Sequence, residues 1–199
     1  MVDESCQTLV DRVWNIKASS WVYVLSKLLS EEAAFQYANE YGIDLISVIP
    51  TTVAGPFLTP KVPASVRVLL SAVTGDHELY SILHAVHTRL GPISLVHIED
   101  IYNTHIFLME QAAAKGRYIC STNSCVMAQL VDRLTQKYPH LVIIVRFSEK
   151  DEGCSVPSKI SSKKLTDLGF EYKYGLTEII QESVSCCVHN GYLNQPGKP

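Results

Sequence analysis

The stretch from Trp21 to Pro50 narrows the possible folds more than any other part of this chain. Behind Trp21, Leu25, Leu28, Leu29, Ala33, Phe35 and Ala38 recur on a helical period that closes before Gly42, which predicts one amphipathic helix over 21–40. Asp44 then leads into Leu45-Ile46-Ser47-Val48-Ile49-Pro50, a short run that is apolar on both faces and that Pro50 stops. A strand with one wet face alternates polar and apolar residues, whereas a strand without alternation belongs inside a parallel sheet covered by helices. Helix, glycine and such a strand are half of a βαβ unit, so the chain is expected to fold as an α/β protein.

Residues 50–65, PTTVAGPFLTPKVPAS, hold four prolines and one glycine and read as a loop beyond the carboxyl end of that strand, where open α/β sheets take ligands. A short helix is expected over 65–73, and 75–91 favours no single state. A strand over 94–98 leads into a helix over 99–111, with Glu99 and Asp100 where the positive helix end favours acids. A strand at 117–121, a helix at 126–138, a strand at 141–147 and a helix at 177–189 complete the sketch. Residues 148–162 are the one linker-like stretch, and the first fifteen residues are polar and mixed.

Composition excludes several classes. With 47% hydrophobic and 19% charged residues in 199, the chain is no disordered tail. Seventeen basic against twenty acidic residues, without a dense basic run, argue against a nucleic-acid partner. The longest aliphatic run, Leu141–Val145, is far short of the ~20 residues of a membrane-spanning helix. The start MVDESCQ lacks a basic and apolar leader, so no secretory signal is expected. Six irregularly spaced cysteines and no Asn-x-Ser/Thr sequon point to a reducing, cytoplasmic setting.

The strongest chemical signal is Tyr23-Val24-Leu25-Ser26-Lys27 at the start of the first helix. A spacing of four puts phenol and ammonium on one helical face. A phenol with an ordinary pKa of about 10 is a weak acid–base catalyst at neutral pH, but a fixed positive charge beside it favours the phenolate. Such a tyrosine can pass a proton to a developing alkoxide while a hydride arrives from a nicotinamide. The same spacing also arises by chance in many helices, as a plain surface pair.

Other residues carry blander readings. His84 and His87 have no accompanying carboxylate or cysteine in a ligand pattern, so no metal site is expected. His97 and His105 flank Glu99-Asp100 and read as hydrogen-bonded structural residues at a strand-to-helix junction. Cys120 and Cys125 lack the CxxC spacing of a redox pair and read as small, half-buried residues. Cys186-Cys187 should pack on one side and be exposed on the other, and Lys159, Lys163 and Lys164 read as a solvated basic face.

Several segments, in order, resemble the extended short-chain dehydrogenase/reductase family and, within it, the plant flavonoid reductases. They are Trp21–Lys27, Ile43–Pro50, Val53-Ala54-Gly55-Pro56-Phe57, Val96–Ile101 with His105, Gly116–Ser121 and Ser161–Phe170. The resemblance implies a Rossmann-type parallel sheet with a smaller substrate-binding domain. Residues 1–58 would be the remainder of the dinucleotide-binding domain, and 59–199 mostly the substrate-binding domain, interleaved with late Rossmann elements. It further implies NADPH as cofactor and a small-molecule flavonoid as substrate, with Tyr23 as proton donor and Lys27 lowering its pKa while bonding the nicotinamide ribose. Pro50 and Thr52 would lie against the nicotinamide, and Ser65 near the cofactor phosphates. Residues 73–97 are most similar to anthocyanidin reductases, which form flavan-3-ols; Gly55-Pro56-Phe57-Leu58 is more similar to dihydroflavonol reductases, which reduce a C4 ketone.

The chain also departs from that family. Its ten glycines are scattered, with no two closer than six apart, so no glycine-rich turn that grips a pyrophosphate is found. None of Ser5, Ser19 and Ser20 sits in the motif of the family's catalytic serine. The chain is therefore expected to be the carboxyl-terminal part of a reductase, with the first βαβ units missing, and to show little or no reductase activity alone, or else to be a non-catalytic remnant. The strand at 45–49 should then have one open edge.

Overall fold

The computed structural model describes residues 1–6, 8–18, 20–138 and 159–193. Its elements are α1 (Val10–Ile16), α2 (Trp21–Tyr41), β1 (Ile46–Pro50), β2 (Thr52–Ala54), α3 (Ala64–Thr74), α4 (His77–Leu90), β3 (Ile93–His97), α5 (Ile98–Glu110), β4 (Gly116–Cys120), β5 (Asn123–Cys125), α6 (Met127–Lys137), α7 (Lys163–Asp167) and α8 (Leu176–His189). Helices and strands are interspersed along the chain, as in an α/β fold. The strand expected at 141–147 and most of the linker at 148–162 lie outside the described residues.

Local chemistry accounts for the boundaries. Gly42 and Gly75 end α2 and α3 in the left-handed conformation, which glycine adopts without a Cβ penalty. The Asp76 carboxylate accepts the Leu79 N–H and so caps α4, which fills the stretch that periodicity left open. The His97 ring caps α5 by accepting the Glu99 N–H at its Nδ1, with Glu99 and Asp100 in the first turn.

Two small sheets carry the fold. β1 and β4 pair in parallel, from Ile46 opposite Gly116 to Pro50 opposite Cys120. β2 pairs in parallel with β3, which pairs antiparallel with β5. β1 is less buried than its composition suggests: Ile46 to Ile49 are half-buried and Pro50 is exposed, and its second edge has no strand partner among the described residues. The amino-terminal residues cover the flank of β4, where Glu4 accepts the Ile119 N–H at 2.8 Å and Val2 bridges to Ile160.

Two cores result. Val66, Leu69, Leu70 and Val73 of α3 pack with Leu95 of β3, Leu130 and Leu134 of α6, and Ile179 and Val184 of α8. Val96, Ile101, Leu108, Tyr118 and Leu165 form a second cluster against Ile46 and Val48 of β1. A buried carboxylate ties the parts: Asp100, wholly inaccessible, accepts the backbone N–H groups of Lys173 at 3.0 Å and Tyr174 at 3.4 Å. No helix among the described residues is long and apolar enough to cross a membrane.

Some expectations are corrected. The 50–65 loop contains β2, three residues whose strand character comes from pairing with β3 and not from any local period. In α2 only Ala38 is buried, and Leu29 and Ala33, expected on the inner face, are exposed. Cys120 and Cys125 are fully buried rather than half-buried. Lys164 does not belong to a solvated face: its ammonium donates to the Lys115 and Arg117 carbonyls and sits 4.0 Å above the Tyr118 ring.

Candidate active site

Tyr23 and Lys27 lie on one exposed face of α2, as their spacing of four dictates. The Lys27 ammonium stands 5.5 Å from the Tyr23 ring centroid, and Tyr23 is 64% exposed. Among the described residues, nothing hydrogen-bonds to the phenol and no carboxylate pairs with the ammonium. Pro50 ends β1 and Thr52 opens β2, paired with Leu95 of β3, so both sit where the chain passes from one sheet to the other. Ser65 lies in the first turn of α3.

Ser65 lines an apolar groove of about 530 Å³ beyond the carboxyl ends of β2 and β3, the side of an α/β sheet where ligands are held. Its walls include Val53, Phe57, Leu58, Val66, Ile98 and Tyr102, and Glu99 is its one acidic member. Tyr23, Lys27, Pro50 and Thr52 are not among its lining residues. A second cleft, of about 860 Å³ between α2, the amino terminus and the start of β4, is crossed by the Arg117–Glu31 ion pair at 3.1 Å.

Behind the groove stands a cluster that the sequence motifs did not reveal. The His97 ring is wholly buried and stacks on Tyr174, with centroids 3.8 Å apart and planes 19° from parallel. Because its Nδ1 accepts from the Glu99 N–H, its proton belongs on Nε2. Nε2 lies 3.3 Å from a Glu182 carboxylate oxygen but lacks a hydrogen bond of good geometry. The Tyr174 hydroxyl donates to Glu99 Oε2 in a very short bond, and that carboxylate pushes the Tyr174 pKa up to about 12. The Gly55 N–H donates to Ser183 Oγ at 2.8 Å, which pins the groove wall to α8. Glu99 was legible only as an acid at a helix start; its partner Tyr174 lies 75 residues away, beyond the reach of any local motif.

These residues fit part of a nicotinamide dinucleotide. Lys27 and Tyr23 offer an unpaired ammonium and hydroxyl for a ribose, and the first turn of α3 around Ser65 has backbone N–H groups without helical partners, suited to an anion. The pyrophosphate grip is missing among the described residues: the positive-φ glycines, Gly42, Gly55, Gly75, Gly91, Gly116, Gly169 and Gly191, are isolated and form no strand–turn–helix cradle. No group of three or more potential metal ligands occurs among the described residues.

Comparison with known proteins gives the family and the fold. A family model described as the NAD dependent epimerase/dehydratase family matches residues 7–120. The chain is 42% identical over 191 residues to a dihydroflavonol 4-reductase of Arabidopsis thaliana, covering 96% of this chain and 48% of that protein. It is 38% identical over 197 residues to a (2S)-flavan-3-ol-forming anthocyanidin reductase of Vitis vinifera, covering 97% and 56%. The crystal structure of vestitone reductase from alfalfa superposes with a TM-score of 0.79 at 31% identity, covering 96% of this chain and 59% of that one. The chain thus spans about half the length of the curated relatives it matches.

Proposed function

The chain belongs to the NAD dependent epimerase/dehydratase family, and on that premise we propose that it carries the catalytic helix and substrate-binding part of an NADPH-dependent flavonoid reductase. The reaction we assign is reduction of an anthocyanidin to a flavan-3-ol, on the likeness of residues 73–97 to anthocyanidin reductases. A second reading, reduction of the C4 ketone of a dihydroflavonol, is favoured by Gly55-Pro56-Phe57-Leu58. Residues 1–58 would complete the dinucleotide-binding domain and 59–199 would supply most of the substrate domain. The irregular cysteines, free at every described position, support a cytoplasmic setting.

The observation that carries the reading is the exposed Tyr23 phenol with the Lys27 ammonium 5.5 Å from its ring. When bound, NADPH would supply hydride, two equivalents for each anthocyanidin taken to a flavan-3-ol and one for a dihydroflavonol ketone. Tyr23 Oη holds the proton that goes to the substrate as charge builds on it, a role worth roughly 10²–10⁴-fold in rate for a positioned acid. Lys27 favours the negative charge left on Tyr23 and offers its N–H groups to the ribose hydroxyls. Pro50 and Thr52 bring backbone against the nicotinamide, and Ser65 donates toward a phosphate. The apolar groove beside Ser65 takes the flavonoid and excludes water from it.

Since no described residues grip the pyrophosphate, the test supplies them. The 199-residue chain joined behind the dinucleotide-binding half of a curated relative should oxidise NADPH with cyanidin, with a flavan-3-ol identified by mass. Turnover of dihydroquercetin alone would select the second reading. Turnover of no member of an anthocyanidin and dihydroflavonol panel by a folded fusion would overturn both.

A further inference from the structure

Glu99 is a half-buried carboxylate on the wall of an otherwise apolar groove. Its Oε2 already holds a phenol, the hydroxyl of Tyr174, while its Oε1 takes no hydrogen bond from any described residue. Tyr174 itself is fixed from two sides, by its backbone N–H on buried Asp100 and by its ring on His97. A carboxylate held this firmly by one phenol presents its second oxygen at little entropic cost. Position adds to this, since Glu99 stands in the first turn of α5, which fixes its backbone beside the groove.

We propose that Glu99 is the specificity-determining acceptor of the groove, taking the phenolic hydroxyl of an aromatic ring seated among Val53, Phe57 and Tyr102. The proposal rests on the flavonoid reading above and adds which substituent is recognised and by which atom. Tyr174 is then a positioning residue, and an analogue without the ring hydroxyl would cover Oε1 without giving it a partner, which is the costly case.

Calorimetric titration of the 199-residue chain with two probes tests it: a flavonoid bearing a 3′,4′-dihydroxyphenyl ring and the analogue whose ring is unsubstituted. The unaltered chain should bind the hydroxylated probe about tenfold more tightly, the lower range for a hydrogen bond to a charged group. Glu99→Gln, which keeps the side-chain shape, should cut that preference to about twofold or less, and Glu99→Asp should retain more of it than Glu99→Gln. Tyr174→Phe should weaken the preference without abolishing it, because both carboxylate oxygens remain but the phenol that holds them is gone; a merely structural clamp would instead make Tyr174→Phe and Glu99→Gln behave alike. A preference that survives Glu99→Gln overturns the proposal and leaves the flavonoid reading standing. Binding of neither probe by the folded, unaltered chain overturns both.

Discussion

Replacing Gly55 by alanine tests how the groove is built. Gly55 sits between β2 and the groove with φ at +128°, a conformation that side chains other than glycine rarely adopt. An added Cβ would stand 2.8 Å from His97 Nε2, 3.0 Å from His97 Cδ2 and 3.0 Å from Ile98 Cγ2. The His97 ring has nowhere to go, being wholly buried and stacked 3.8 Å from Tyr174. Backbone strain of about 1–3 kcal/mol and overpacking of about 1–3 kcal/mol together give roughly 2–6 kcal/mol of destabilisation, less whatever the chain recovers by rotating away. Such a rotation would break the buried Gly55 N–H to Ser183 bond. Urea unfolding followed by circular dichroism should show a midpoint lowered in proportion, with an unchanged slope. A Gly55→Ala variant within about 0.5 kcal/mol of the unaltered chain would refute the packing described for His97.

Three further outcomes follow from buried polar groups. Asp100→Ala removes two hydrogen bonds to a charged acceptor and should cost roughly 2–4 kcal/mol, with Asp100→Asn losing about half as much because its amide oxygen still accepts one N–H; equal stability of all three chains would contradict the tie between α5 and the Tyr174 segment. Burial pushes the Cys125 and Cys187 thiols up to about 11, so iodoacetamide at pH 8 should label exposed Cys6 first and spare both until the chain unfolds, as read by mass spectrometry of its peptides. The Tyr174 pKa, raised to about 12 by Glu99, lies above the roughly 10 of an unfolded tyrosine. The stabilisation from that bond is therefore complete below pH 10 and lost as pH rises through 12. Ultraviolet titration should show late phenolate transitions, of which Tyr174→Phe removes one and leaves that of Tyr172, whose pKa burial raises further still.

Legibility followed the physics of each element. α3 and α5 were readable because their buried residues repeat on the helical period, as with Val66, Leu69, Leu70 and Val73, and β3 and β4 because a short run with consecutive buried residues reads as a strand inside the fold. β2 was not, because three residues between two prolines hold no period and become a strand only by meeting β3 some 40 residues later. α1 escaped notice because none of its residues is buried; Trp14 instead meets Trp21 edge-on. The Tyr23–Lys27 pair was legible because four residues of helix are themselves a geometric statement. The cluster of His97, Glu99, Tyr174 and Glu182 joins α5 to α8 across the fold, and tertiary contacts alone reveal it. Lys164 misled for a related reason: its sequence neighbours suggest a solvated patch, while the backbone carbonyls it satisfies belong to residues 115 and 117, just before and inside β4.

The role proposed for the α2 phenol is delivery of the proton in a nicotinamide-dependent reduction. It is tested most directly by the turnover number of the fusion described above with Tyr23 intact and with Tyr23→Phe. A loss of about 10²-fold or more is expected. Equal turnover in the two proteins would contradict it.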